Sequence, residues 1–306
     1  MIDTIAKIER SILKTELNSE TFVRKTNKGD NEIYVFDHRN APNLMQEVGR
    51  LREVTFRAAG GGTRKAVDID DFDLHPTAPY LQLIVWDPEF EEMVGGYRFI
   101  KCKDAKVTNN EPELATSHLY EFTTEFIDDY YNDTIELGRS FVQPKYQPSA
   151  TNRIGLFSLD NLWDGLGAIV VQNPDIKHFF GKVTMYLDFN QTARDLILTF
   201  MHTFFKDEDS LLYPKNPLSL HQDTSQFIEE IENLEYKVGH KILNGRVRDL
   251  GENIPPLINA YMNLSATMKT FGTALNDHFG DVEETGILIT IADIYESKKE
   301  RHINTY

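Results

Sequence analysis

Between Thr134 and Pro144 the chain reads TIELGRSFVQP. Ile135, Leu137, Phe141 and Val142 give this stretch the character of a buried strand, yet it carries a carboxylate, Glu136, and a guanidinium, Arg139. Charges inside an apolar strand are costly unless they are paired or used in chemistry. The two stand three residues apart, and the period of two of a regular strand would send them to opposite faces. Gly138 lies between them, and a glycine within a strand marks a bulge that re-aims its neighbours. The expectation is therefore a bulge that turns Glu136 and Arg139 toward one cleft. A buried ion pair or a sheet-edge pair is the competing reading, and regular pairing through Gly138 with diverging side chains would remove the single cleft.

The rest of the chain supplies enough apolar surface to bury such a strand. Hydrophobic residues make up 41% of the 306 and aromatics 11%, which is a globular composition. A formal net charge of −16 excludes general nucleic-acid binding, which needs basic surface for phosphate contacts. One cysteine, Cys102, excludes an internal disulfide framework and a cysteine-rich zinc site, and it reads as a small apolar strand residue. The N-terminus MIDTIAKIERSILKTELNSE has no signal-peptide core, and no apolar run reaches the roughly 20 residues of a membrane span. A cytoplasmic protein is expected, with peripheral membrane contact left open. The nine histidines show no ligand spacing, and no metal is expected.

Periodicity predicts a helix over residues 1–20, a strand at Glu32–Phe36, and a helix from Pro42 to about Arg57 stopped by Gly60-Gly61-Gly62. That glycine run lacks the spacing of a phosphate loop and reads as a turn. The acidic run VDIDDFD, residues 67–73, fails the EF-hand pattern. It reads either as a solvated turn or as a place that holds a cation, a buried arginine or a substrate ammonium. Residues 81–86 and 94–100 predict a hairpin across DPEFEE, with Arg98 inside its second strand, where the bland alternative is a sheet-surface charge. A short helix is predicted over 119–131, then helices over 153–171, from Asn190 or Thr192 to Phe204, over 224–243 and over 257–268. Strands are predicted at 179–187 and 286–294, with a polar tail after them. This order predicts mixed α/β with one sheet. No dinucleotide fingerprint, HExxH or GxSxG is present.

Taken in order, Arg52-x-x-x-Phe56, Asp70-x-x-Asp73, Arg98 in a strand and Glu136-x-x-Arg139 resemble the signature of acyl-homoserine lactone synthases. YLQLIVWD (80–87), VGGYRFI (94–100), ELGRSFVQPKY (136–146), FGKVTMY (180–186) and the run 255–289 extend the likeness further. With them the chain resembles the acyl-carrier-protein-dependent N-acyltransferases of ornithine and glycine lipids, often labelled hemolysin-like, over about residues 40–295.

The resemblance implies a GNAT-like α/β (α+β) fold, a largely antiparallel central sheet flanked by helices with extra C-terminal helices. It implies a single acyltransferase domain over 1–306, with about 206–250 as a helical insertion. The implied activity moves a fatty acyl group, typically 3-hydroxylated, from acyl carrier protein to the α-amino group of a small amino acid such as glycine or ornithine, without a bound cofactor. Glu136 and Arg139 are the implied catalytic pair, with Glu136 the base that an ammonium needs before it can attack a thioester. Arg52, Phe56, Asp70, Asp73, Arg98 and Ser140 are implied in substrate binding. Main-chain N–H groups at a bulge would stabilise the oxyanion. Members that use acetyl-CoA carry a Q/R-x-x-G-x-G/A loop around the pyrophosphate. QPSATNRIG (147–155) lacks that spacing, which favours a carrier-protein thioester over acyl-CoA. An acidic carrier needs local basic surface, for which Lys145, Arg153, Lys177 and Lys182 are the candidates. A signal synthase that acylates and cyclises its substrate, and a non-catalytic module that binds an acyl chain or carrier protein, remain alternatives.

Overall fold

The computed structural model describes residues 2–147 and 155–306. The chain forms two compact units, one of residues 1–106, 132–177 and 296–306, the other of residues 107–131 and 178–295.

In the first unit, strands β1 (Phe22–Lys25), β2 (Glu32–Phe36), β3 (Leu81–Asp87), β4 (Glu92–Lys101) and β5 (Thr134–Val142) pair in that spatial order, each antiparallel to the next. Helix α1 (Arg10–Glu16) packs on α2 (Pro42–Ala58), and α3 (Ser158–Gln172) packs on β3 and β4. The strand period of two separates the partners of these helices. Gln82 faces α2, whose Arg52 reaches it, whereas Leu83 faces α3 closely enough that a Cβ on Gly165 would lie 2.8 Å from its side chain. A second close approach fixes the acidic run. A Cβ at Gly49 of α2 would sit 2.5 Å from Val67, and Asp68 donates its N–H to the Gly49 carbonyl at 3.0 Å. The missing side chain lets residues 67–69 lie against α2 and presents the aspartates to the arginines beneath.

In the second unit, β6 (His178–Met185) pairs with β8 (Val282–Thr290), which pairs with β7 (Lys269–Asn276), again antiparallel. Helix α4 (Gln191–Phe204), capped by the Asn190 side chain on the Ala193 N–H, carries Arg194 to Glu283 on one face of β8. On the other face the Tyr120 hydroxyl donates to the carbonyls of Gly272 and Glu284. Helices α5 (Ser225–Ile231), α6 (Tyr236–Asp249) and α7 (Pro256–Met262) complete the unit. No helix among the described residues is long and apolar enough to cross a membrane.

The expected class, mixed α/β with an antiparallel sheet flanked by helices, holds. The hairpin β3–β4, the helix from Pro42 and the strand β5 lie within two residues of expectation. Several elements differ. The N-terminal helix is only Arg10–Glu16, because the residues before it run as extended chain, with the Ile5 N–H bonded to the Ala66 carbonyl. The helix expected over 224–243 breaks into α5 and α6 around Asn233 and Leu234. Residues 119–131 hold a strand, Tyr120–Phe122, paired with Leu212–Pro214, and then a wide π-type turn at Phe126–Tyr130. The helix expected to run to Met268 stops at Met262, and β7 follows it. The polar tail folds as a helix, Glu296–His302, tied to α3 by His302 and Asp164 at 2.7 Å.

Candidate active site

The face of the first sheet that meets α2 carries a closed set of charges. Arg52, fully buried on α2, donates through Nη1 to Asp73 at 3.2 Å and through Nη2 to Gln82 Oε1. Gln82 in turn donates to Asp73 at 3.0 Å. Arg98, also buried, spans both Asp70 oxygens at 2.7 and 2.8 Å and reaches Asp73 at 3.2 Å. Arg139 donates from Nε to Asp68 at 2.9 and 3.2 Å, with Asp70 at 3.7 Å from its Nη2. Asp70 also accepts the N–H groups of Phe72 and Asp73, so the acidic run folds back on itself around the guanidiniums. Three arginines meet three aspartates where water is nearly absent, and charge-assisted bonds of this kind are the strong ones.

Burial alone would raise the Asp70 carboxyl, but Arg98 and then Arg139 outweigh it and hold the group well below the usual carboxylate range. Burial would likewise lower the Arg98 guanidinium, and Asp70 and Asp73 reverse this. Arg52 is the exception, because for it burial outweighs the attraction of Asp73 and Asp68. Cys102 is fully buried, and burial followed by the nearby Glu136 charge pushes its thiol up, so it is no thiolate nucleophile.

Glu136 joins the same network through Tyr80, whose hydroxyl donates to its carboxylate. The Tyr80 ring lies 5.0 Å from the Arg98 guanidinium, a cation–π contact. Pairing of β4 with β5 is regular from Lys101↔Ile135 through Ile100↔Glu136 to Arg98↔Gly138, then slips, with Gly96 opposite Phe141. Arg139 and Ser140 therefore face Tyr97 alone. The bulge falls one residue beyond Gly138, at Arg139, which takes a left-handed φ of 49°. A side chain held in that region costs about 1–2 kcal/mol, and the Asp68 pair fixes it there. The slip puts Arg139 on the side of the sheet that carries Glu136, which a regular strand would forbid. Glu136 is 1% exposed, whereas the side chains of Asp70 and Arg139 are 27% and 13% exposed and form the solvent-facing end of the network.

The structure thus brings Arg52, Asp70, Asp73, Arg98, Glu136 and Arg139 together. Arg98 is a buried ion-pair centre, which removes its bland alternative as a sheet-surface charge. Phe56 is a core residue, its ring edge-on to Phe141 at 6.5 Å, and Ser140 sits half-buried in the bulge. Asp68, Tyr80 and Gln82 belong to the site without having been singled out. The signal for Gln82 was a lone amide in the apolar run YLQLIVWD, in strand register with Tyr80.

Of the expected carrier-contact lysines, Lys145 is 41% exposed and pairs with Glu92 at 2.6 Å in the first unit. Lys177 is exposed and pairs with Asp133. Lys182 lies in the second unit with its ammonium turned onto buried Glu284, so it is a core ion pair and not docking surface. Arg153 lies outside the described residues.

Residues 51–155 match the acetyltransferase (GNAT) domain family. A glycine N(alpha)-acyltransferase of Phocaeicola vulgatus is 50% identical over the whole of this chain and 94% of its own length. One of Bacteroides thetaiotaomicron is 51% identical over the whole chain and 91% of its own. The chain belongs to this acyltransferase family. The GNAT match spans the network from Arg52 to Arg139, so the enzyme's charged site and its family domain are one region. The solved structure of FeeM, an N-acyl amino acid synthase from uncultured soil microbes, is similar over 94% of this chain and 98% of its own at a TM-score of 0.40 and 10% identity, too slight a likeness to carry argument.

Proposed function

We propose that this acyltransferase moves a fatty acyl group, 3-hydroxylated, from the phosphopantetheine thioester of acyl carrier protein to the α-amino group of glycine. The observation that carries the reading is Glu136, a buried carboxylate set beside a bulge and oriented by the Tyr80 hydroxyl. An ammonium must lose a proton before its nitrogen becomes a nucleophile, and Glu136 takes it. The nitrogen attacks the thioester carbon, and main-chain N–H groups at the bulge receive the negative charge that develops on oxygen. The tetrahedral adduct collapses, the C–S bond breaks, and the second amine proton leaves with the pantetheine sulfur as a thiol. Arg98 does not serve as an acid, because Asp70 and Asp73 keep its guanidinium charged. The three arginines, through their pairs with Asp73, Asp70 and Asp68, hold β5 and the acidic run in register and give the acceptor a rigid wall.

Glycine is favoured over ornithine by the names of the two half-identical relatives. The same likeness over the full chain favours simple N-acylation over a signal synthase. The carrier-protein donor rests on the sequence 147–155, which lacks a pyrophosphate loop. An N-acylated glycine is an amphiphile, so the product enters lipid synthesis, and the enzyme works in the cytoplasm beside the inner membrane.

The test is purified protein with 3-hydroxyacyl carrier protein, or the matching acyl-CoA, and a panel of amino acids, read by mass spectrometry. The expected product is acylglycine from the carrier thioester. Glu136→Gln, which keeps the shape and cannot take a proton, should lower turnover about a hundredfold or more with the fold intact. Undiminished turnover in that variant would assign the base elsewhere, and equal use of acyl-CoA would remove the donor argument.

A further inference from the structure

Gly138 is the one glycine of β5, and neither of the usual reasons for a glycine applies to it. Its φ is not among the left-handed values of the chain, so the backbone does not require it. A Cβ built there would meet only Arg98 Nε at 3.6 Å and Arg98 Cγ at 3.7 Å among the described residues, which is ordinary contact distance. Other strand glycines behave differently. A Cβ at Gly95 would lie 2.3 Å from the Phe141 carbonyl, and one at Gly96 would lie 2.5 Å from the Leu83 carbonyl, so packing alone demands those two.

The atom that looks onto the bare backbone of Gly138 is itself unusual. Arg98 Nη1 is used by Asp70 and Asp73, but Arg98 Nε is buried and makes no hydrogen bond among the described residues. A buried guanidinium N–H left without an acceptor costs free energy and calls for a ligand oxygen. Gly138 stands directly opposite Arg98 in the pairing, and Glu136 is two residues along on the same face. A donor, a missing side chain and a carboxylate base therefore line one spot.

We propose that the space above Gly138 is an oxygen-binding niche, in which Arg98 Nε donates to a carbonyl or carboxylate oxygen of the reacting molecules. The inference rests on the acyltransfer reading and deepens it. Two oxygens have the required chemistry, the thioester carbonyl of the donor and the carboxylate of the acceptor amino acid. Either would satisfy Arg98 and lie beside the group that removes the amine proton. The niche adds a side-chain donor to the main-chain donors of the bulge, and it explains a glycine that packing leaves unexplained.

Gly138→Ala in the full-length chain tests this. The methyl group lands at van der Waals distance, so circular dichroism and the melting curve should match wild type. The niche is filled, so kcat/KM should fall about a hundredfold, the usual effect of losing one oxyanion donor. A rise confined to KM for glycine assigns the niche to the carboxylate, whereas a fall in kcat with that KM unchanged assigns it to the thioester. A folded variant within twofold of wild type overturns the proposal.

A measurement on the wild-type protein covers the case in which the variant misfolds. The 15N–H resonance of Arg98 Nε, assigned by its loss in Arg98→Lys, should move on addition of glycine or of a ketone analogue of acyl-pantetheine. A resonance that stays in place with both ligands also overturns it. Failure of the underlying reading looks different. In that case Glu136→Gln retains turnover, or the wild type acylates no amine, while the resonance still reports whether the niche binds an oxygen.

Discussion

Asp73 is the counter-charge on which the buried network turns, and its removal should be the most destabilising conservative change in the site. It is fully buried and accepts from Arg52, Arg98 and Gln82, as well as from the Asp70 N–H. Asp73→Asn keeps the shape and deletes one negative charge, leaving Arg52 and Arg98 buried with Asp68 and Asp70 to neutralise three guanidiniums. Breaking a buried pair by removing one partner costs about 3–5 kcal/mol. For a body of 150–250 residues each kcal/mol moves the midpoint by about 2–4 °C, so a fall of roughly 6–20 °C is expected. Arg52→Met alone should cost a similar amount, because it takes one of two guanidiniums from buried Asp73 and the Arg52 donor from the Gln82 carbonyl. The double variant removes charge from both sides and should cost less than the sum, by about 2 kcal/mol. Calorimetry and urea titration of the four proteins complete the cycle. Losses below about 1 kcal/mol, the value of an exposed pair, or additivity within about 0.5 kcal/mol, would refute the account of a closed, mutually dependent charge set.

Tyr80→Phe keeps the ring over Arg98 and removes only the hydroxyl that donates to Glu136. A bond to a charged group is worth about 1.5–3 kcal/mol, so turnover should drop roughly tenfold or more while KM for the amino acid is kept; unchanged kcat would end the positioning role of Tyr80. A pH effect is expected at Glu92. Burial alone would raise its carboxyl, but Lys145, Lys7 and Arg10 hold it down to about 2, against an ordinary 4.5. A depressed carboxylate adds stability that is fully present above its unfolded value and is lost as pH falls through its folded value. The difference in melting point between wild type and Glu92→Gln should therefore shrink from pH 4.5 toward pH 2, and a constant difference across that window would contradict it.

The legible parts of this chain were those in which local chemistry and final structure agree. A proline after Ala41 and spaced apolar residues wrote α2, and DPEFEE wrote the turn of the β3–β4 hairpin. The paired charges in TIELGRS announced both the site and its bulge, although the slip falls at Arg139 and not at the glycine. What escaped was set by contacts distant in sequence. Strand β7, KTFGTALN, follows a good helix and carries no clean alternation, and it is a strand because β8 is beside it to pair with. The run around Asp70 was ambiguous between a solvated turn and a cation site, since only the fold carries Arg52, Arg98 and Arg139 to it. Lys182 failed as surface because a lysine one position off the apolar pattern reads as exposed unless a buried acid such as Glu284 is known to wait across the strand.

The charge balance of the site gives a reason for its design. Asp68, Asp70 and Asp73 pair with Arg52, Arg98 and Arg139, and Glu136, bonded by the Tyr80 hydroxyl, makes four carboxylates to three guanidiniums in the network described, a surplus of one acid. An amino acid arrives as a zwitterion of no net charge, and its ammonium end gains from that surplus while its carboxylate end is drawn to a guanidinium. Once the amine is acylated its positive end is gone and only the carboxylate remains. The product then faces a site of its own sign, which favours release over retention. Exchanging one aspartate for its amide would cancel the surplus, so the same change that loosens the fold should also slow the departure of the acylated amino acid.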